Sequence, residues 1–411
     1  MFIRGALAIR VFLSFAAGYL LSYAFRSVNA VIAPSLLSDL GISNSDLGLL
    51  SAAYFLSFAC LQLPLGIWLD KYGPRKIEAA LLMFAAAGAA IFAMSTSLLG
   101  LWVGRALIGI GVSACLMAPY KAFRMWYPPE RQAQLASWML VAGSAGALLS
   151  TVPVSAALPA IGWRGVFWIM GALVMCAAAA IFFLVKEVEE THGPDHSLAA
   201  GGSGYGHIFG SAYFRRLALL GMLSTGSFGA LHTLWAGPWM MTVLGMSKQE
   251  TANILFLFNL SLMATYMLVA WWAPRRLFRE GKQDRKVIRA IAVGVLGAIV
   301  VQTAMVATTA PLAWLLWIAF AVFITVATLI QTSVSLSFPA ALAGRANTAF
   351  NLMVFLGVFA MQWGIGLLID AFESYGASTA TAMRSAFGVC IAVQVAALIT
   401  FLIDRAQLQR L

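Results

Sequence analysis

Runs of apolar residues about twenty long, broken by brief clusters of charge, glycine and proline, recur from one end of the chain to the other. A helix that crosses a bilayer needs ~20 apolar residues. The pattern predicts twelve such helices, near 9–34, 46–69, 77–97, 99–121, 133–158, 163–185, 216–240, 251–273, 288–309, 312–335, 346–370 and 383–403. Most intervals between them are short. The exception, 186–212, reads KEVEETHGPDHSLAAGGSGYGHIFGSA, a polar, glycine-rich stretch expected to be a flexible linker in the cytoplasm. The expected architecture is therefore an all-α membrane protein with a six-helix bundle over 1–185 and a second over 213–411.

Composition supports this reading and removes others. Of 411 residues, 62% are hydrophobic and 10% charged, against ~45–50% and ~25% in soluble domains. An ordinary soluble enzyme is excluded, and no length remains for a catalytic domain. A net charge of +11 would suit a nucleic-acid binder if the basic residues clustered on one element, but they are scattered. Their distribution reports topology instead. Of the 26 Lys and Arg, 21 fall in segments on one side of the proposed membrane and three (Arg164, Lys248, Arg384) on the other, while Arg26 and Arg105 lie inside spans. The positive-inside rule then puts both termini in the cytoplasm of a bacterial-type inner membrane. Arg4 and Arg10 before an apolar run imitate a secretory signal, yet the run continues to Pro34, so an uncleaved first span is the better reading.

Other candidate chemistry thins out quickly. Cys60, Cys115, Cys176 and Cys390 sit in apolar runs, where a thiol behaves as a small hydrophobe, so neither a disulfide nor a metal site is expected. His192 and His196 have helical metal spacing, but Gly193-Pro194 breaks the helix that would align them. Gly201 to Gly206 lacks the strand and helix that frame a phosphate loop. No cofactor is expected.

The two halves are related by an internal repeat. A shift of 204 places Pro34 on Pro238, Leu40 on Leu244, Gly41 on Gly245, Ser43 on Ser247 and Asp46 on Glu250. Ser43-x-x-Asp46 and Ser247-x-x-Glu250 both have the form of a capping box, predicted to open spans two and eight.

A polar group inside a span is costly unless it faces a cavity or a partner, which singles out Arg26, Arg105 and His232. Tyr19, Ser22, Tyr23, Arg26 and Asn29 recur at helical intervals and form one polar stripe with Arg26 in its centre. The stripe is expected to line a cavity; the alternative is that Arg26 snorkels to the outer headgroups. His232 shares a face with Trp235 and Trp239, as a cavity stripe or as a satisfied core histidine. All fifteen acids are placed in loops or near span ends, with none in mid-membrane. That pattern favours an anionic or neutral solute over a cation, and if protons are coupled it leaves His232 as the titratable group.

The loop after span two reads Gly66-Ile-Trp-Leu-Asp70-Lys71-Tyr-Gly73-Pro-Arg75-Lys76. Span four contains Arg105-x-x-x-Gly109-x-Gly111, and Gly162-Trp163-Arg164 opens span six. With the six-plus-six count, these motifs resemble the major facilitator superfamily of transporters along the whole chain. The resemblance implies alternating access, with Gly66 allowing close helix approach, Asp70 and Arg75 latching the cytoplasmic gate, and no matching latch in the second half, where Pro274 stands opposite Asp70. Arg105 would then be the arginine associated with proton-coupled members, or else a packing group bonded to backbone carbonyls. Residues 23–34 are also similar to the first helix of the organophosphate and organic-anion branches, where an Arg binds the anion. The position related to Arg26 by the shift is Ala230, so a monocarboxylate or amino-acid-like metabolite is expected rather than a dianionic phosphate. The expected substrate site is Tyr23, Arg26, Asn29, His232, Trp235 and Trp239, in a monomer embedded in lipid. Rival expectations are an efflux pump for drugs or siderophore-like metabolites, and a non-transporting sensor on the same fold.

Overall fold

Once its side chains are in hydrocarbon, a backbone must satisfy its own N–H and C=O groups, and the helix does this within each segment. The computed structural model describes residues 5–127, 132–185, 203–276, 278–279, 282–283, 285–338 and 340–403. Nearly all of them are helical.

The first crossing is α1 (Gly5–Ser27) continued by α2 (Asn29–Leu40), the second α3 (Asn44–Tyr72) and the third α4 (Pro74–Met94). The fourth is split into α5 (Leu98–Gly111) and α6 (Met117–Trp126). The fifth comprises α7 (Gln132–Leu149) and the start of α8 (Val152–Leu184), and the sixth is the rest of α8 beyond Gly162, whose positive φ interrupts the helix. Next come α9 (Ser203–Gly210), then α10 (Ala212–Ala230), a π-helical turn (Leu231–Trp235) and α11 (Ala236–Thr242), which together make the seventh crossing. The eighth is α12 (Lys248–Arg276), followed by a two-residue antiparallel pair, β1 (Phe278–Arg279) and β2 (Lys282–Gln283). The last four are α13 (Arg285–Ala307), α14 (Leu315–Val326) with α15 (Leu329–Leu336), α16 (Ala340–Ser374) and α17 (Thr379–Ile403). Nine helical stretches among the described residues are long and apolar enough to cross a membrane on their own. The second crossing and the interrupted fourth and fifth complete the twelve.

Local sequence explains the interruptions. Pro238 has no N–H, and its ring would meet the carbonyl four residues back in a regular helix. The chain widens there, with Ala236 N–H bonded to the Leu231 carbonyl five residues back. The repeat is visible in the caps. Gly41 and Gly245 both take left-handed φ, at 61° and 68°, and end the helices before them. Ser43 and Asp46 exchange backbone-to-side-chain bonds of 3.1 Å each, and Ser247 and Glu250 do the same at 2.8 and 3.2 Å. The stretch expected to be a linker is helical in its second part, where α9 packs on α10 and α16; 186–202, with His192 and His196, lie outside the described residues.

The two six-helix sets meet mainly where α3 lies on α16, where α2 meets the π-turn and α11, and where α12 meets α7 and α8. At the first of these the backbones touch. A Cβ at Gly48 would strike the Gln362 carbonyl, and one at Gly366 the Asn44 carbonyl.

Candidate functional site

The helical spacing of the span-one stripe turns Tyr23 and Arg26 to the same face of α1, and that face meets α3. There the Arg26 guanidinium carbon lies 4.6 Å from the Tyr23 ring centre, 5.8 Å from Tyr54, 5.7 Å from Phe55 and 5.5 Å from Phe58. Phe355 of α16, from the other six-helix set, closes the cluster at 5.5 Å. All five distances are within cation–π range. Among the described residues, the ionisable groups that act most strongly on Arg26 are tyrosines (Tyr54, Tyr23, Tyr19), with Tyr54 also a hydrogen-bond partner of the guanidinium, while the Arg26 Nε has none. Arg26 therefore points into rings from both halves. Tyr54, Phe55, Phe58 and Phe355 were not singled out in the sequence, because aromatic residues in apolar runs look like ordinary membrane-span composition.

The other stripe residue, Asn29, is buried and donates from Nδ2 to Ser51 Oγ at 2.7 Å. Arg105 is 1% exposed, donates to the Phe25 carbonyl at 2.9 Å, and sits 5.0 Å from the rings of both Phe92 and Phe167. This is the geometry of the packing alternative. It anchors the α1 carbonyl immediately before Arg26. Gly109, one turn further on, lets α5 lie close against α3, since a Cβ there would strike the Tyr54 carbonyl.

On the second half, His232 lies in the π-turn with Nε2 2.8 Å from Asn259 Oδ1, its ring stacked on Phe228 at 5.2 Å and edge-on to Phe258 at 5.3 Å. It remains within electrostatic range of Arg26, as does Tyr266 of α12. Trp235 donates to the Gln362 carbonyl of α16 at 3.1 Å, and Trp239 stacks on Phe387 of α17 at 4.3 Å. Among the described residues, neither indole is one of the rings around Arg26. They join helices rather than forming a stripe with His232.

Among the acids, one is enclosed. Glu78 is near a span end, as expected, and it is fully buried, with no donor stronger than the Cys115 thiol at its carboxylate. It faces Gly18 of α1, where a Cβ would come within 2.8 Å of Oε1, and lies beside Cys115. Position along the span does not reveal this, because the first turns of α4 are covered by neighbouring helices.

The gating motif is partly described. The Asp70 side chain lies outside the described residues. Gly73 (φ 80°) ends α3, and Arg75 donates from Nε to the Phe182 carbonyl near the end of α8 at 2.8 Å. Gly66 faces open space, with nothing within 4 Å of a Cβ placed there, so the expected close helix approach is not made at this position. A contact between the halves is present at the opposite end of the bundle. Asp370, near the C-terminus of α16, accepts the Asn44 and Ser45 backbone N–H groups at 3.1 and 2.8 Å, capping α3 from the other half. At the same end a cleft of about 360 Å³ opens between the halves, lined by Ser35, Pro159, Met241 and Lys248 among others.

Comparison with known proteins sets this geometry in context. A sequence profile of the Major Facilitator Superfamily matches residues 15–362. A hexuronate transporter of Escherichia coli is 28% identical over 254 residues, 57% of this chain and 58% of that protein. A probable sulfoacetate transporter of Cupriavidus necator is 27% identical over 175 residues, 42% of this chain and 40% of that protein. The chain thus spans about half the length of the curated relatives it matches. In three dimensions it resembles a bacterial homologue of the human lysosomal transporter Spinster, in an inward-facing and unoccupied conformation, with a TM-score of 0.79, 17% identity and 97% of each chain covered.

Proposed function

This chain belongs to the Major Facilitator Superfamily of transporters, and on that premise we propose that it carries a small organic anion, a carboxylate, across the inner membrane by alternating access. The observation that carries the reading is Arg26, a cation in the middle of the bundle, ringed by aromatic faces from both halves, with tyrosines as the ionisable groups that act most strongly on it. A guanidinium presents a planar fork matched to a carboxylate. A solute anion bound there would touch both six-helix sets, so its binding would bias their relative position. The relatives that transport hexuronate and probably sulfoacetate, each an organic anion, support the same class. The charge asymmetry supports cytoplasmic termini, which would make the end closed by Asp370 the outer one. In this reading 1–185 and 213–411 are the moving halves, and His232, near Arg26 and bonded to Asn259, is the group through which protons would be coupled.

The test is exchange of labelled organic acids by the purified protein in proteoliposomes. Arg26→Ala is expected to remove most binding, on the order of 2–5 kcal/mol for one partner of a buried charge pair. Arg26→Lys keeps the charge but loses the fork and should fall between. Exchange at the wild-type rate by Arg26→Ala would end the proposal.

A further inference from the structure

Charge and hydrogen-bonding capacity are separable properties of a binding site, and around Arg26 they diverge. Among the described residues the charge has no acidic partner. Several hydrogen-bonding groups of this level are committed to one another, and two oxygens, Asn29 Oδ1 and Gln362 Oε1, have no partner. Tyr54 donates its hydroxyl to the Ser22 carbonyl at 3.2 Å, Asn29 donates to Ser51, His232 is joined to Asn259, and Gln362 donates from Nε2 to Thr233 Oγ1 at 2.8 Å. On α7 Gly143 faces the stripe, and its Cβ position would lie 2.7 Å from the Tyr19 ring and 3.1 Å from Tyr23, so no side chain reaches in at that position. What the site offers in quantity is ring surface. Phe58 and Phe355 are 4.6 Å apart between centres, and Phe55 and Phe355 are stacked at 6.1 Å and 20°.

We infer that the solute selected here is a monocarboxylate with a flat, apolar body, of the benzoate class, and that Phe355 sets this preference. The inference rests on the carboxylate reading above and narrows it. A sugar acid brings a hydroxyl on almost every carbon, more than these two oxygens can accept, and each one taken from water without a partner forfeits a hydrogen bond. A benzoate brings one anionic group for the Arg26 fork and one ring for offset or edge-to-face contact with its neighbours. Phe355 is the component of the cluster contributed by the second half, so it is the ring that leaves Arg26 when α16 separates from α3 and returns when they close on the solute.

The competing account is that the rings shield Arg26 without regard to the solute, and equilibrium binding to the full-length protein in detergent separates the two. The probes are benzoate, glucuronate and butyrate, with wild type, Arg26→Ala and Phe355→Leu each confirmed monodisperse by size exclusion. Leucine keeps an apolar side chain at the position but removes the ring. The expected result is that wild type binds benzoate at least tenfold more tightly than glucuronate, and that Arg26→Ala loses this binding. Phe355→Leu should weaken benzoate about tenfold, equivalent to 1.4 kcal/mol, while leaving butyrate unchanged. If glucuronate binds as tightly as benzoate and depends on Arg26, the aromatic preference is wrong and the carboxylate reading stands. Equal weakening of benzoate and butyrate in Phe355→Leu would remove the role given to Phe355. Absence of Arg26-dependent binding by all three acids would overturn this inference and the carboxylate reading together.

Discussion

Arg26, Arg105 and Glu78 lie in the interior of the first half, and each is handled differently by its surroundings. Arg26 is held by ring faces, Arg105 by the Phe25 carbonyl and two phenylalanines, and Glu78 is enclosed with the weak thiol donor of Cys115 beside it. A buried polar group left unpaired costs about 1–3 kcal/mol, more when charged. Replacing one with an apolar residue of similar length is often neutral or stabilising. Glu78→Met should therefore raise the thermal unfolding midpoint of the detergent-solubilised protein, by an amount equivalent to about 1–3 kcal/mol. A lowered midpoint would mean that the carboxyl has a stabilising partner after all. Arg105→Met should behave in the opposite sense, because it removes a made bond to the α1 carbonyl. A loss of about 1–3 kcal/mol is expected from the same unfolding measurement.

At the level of elements, the contact that matters most is α3 on α16. Its glycines let the backbones meet, and its outer end is tied by Asp370, which supplies acceptors for two of the free amides that open α3. Helix N-termini favour a negative charge at this position through both the bare N–H groups and the helix dipole. Asp370→Asn keeps the size and removes the charge, weakening bonds worth about 1.5–3 kcal/mol when charge-assisted. The expected consequence is a shift of the conformational balance toward opening at this end, roughly tenfold or more per 1.4 kcal/mol. A single cysteine at Ser35, in the cleft between the halves, reports it: an impermeant maleimide added from outside should react faster in the Asp370→Asn background than in wild type. Unchanged reactivity would reduce Asp370 to a local cap. Gly48→Leu, which places a side chain against the Gln362 carbonyl, should increase labelling further.

For the whole molecule, the twelve crossings and their loop charges make a topological claim that can be checked without knowing the solute. Ser203, at the start of α9, and Ser45, in the first turn of α3, are predicted to lie on opposite sides of the membrane. Single cysteines at the two positions in a cysteine-free background should label from opposite faces in intact cells and inverted vesicles. Labelling from the same face would overturn the orientation and the pairing of halves built on it. In this map Gly73, which ends α3, and the Asp370 contact, which caps the start of α3, lie at opposite ends of the second crossing. Arg75 is tied to the end of α8 within its own half, and Asp370 reaches across to the other.

Much of the architecture could be read from the chain itself because it is encoded locally. Apolar run length sets a crossing, loop charge sets its direction, and a capping serine with an acid three residues on sets where α3 and α12 begin. These signals act within a turn or two of helix and survive projection onto one dimension, as does the positive φ required of Gly41 and Gly245 at the repeat boundary. The polar stripe of span one was equally legible, since helical spacing alone puts Tyr23, Arg26 and Asn29 on one face. What surrounds that face was not. Phe355 is brought to Arg26 across more than three hundred residues of chain, Asp370 to Asn44 across a similar span, and Glu78 is closed over by Gly18 and Cys115 of other helices. In a membrane protein the apolar background is nearly uniform, so such meetings leave no periodic trace in the sequence. Helix packing alone decides which of many similar rings becomes part of the site.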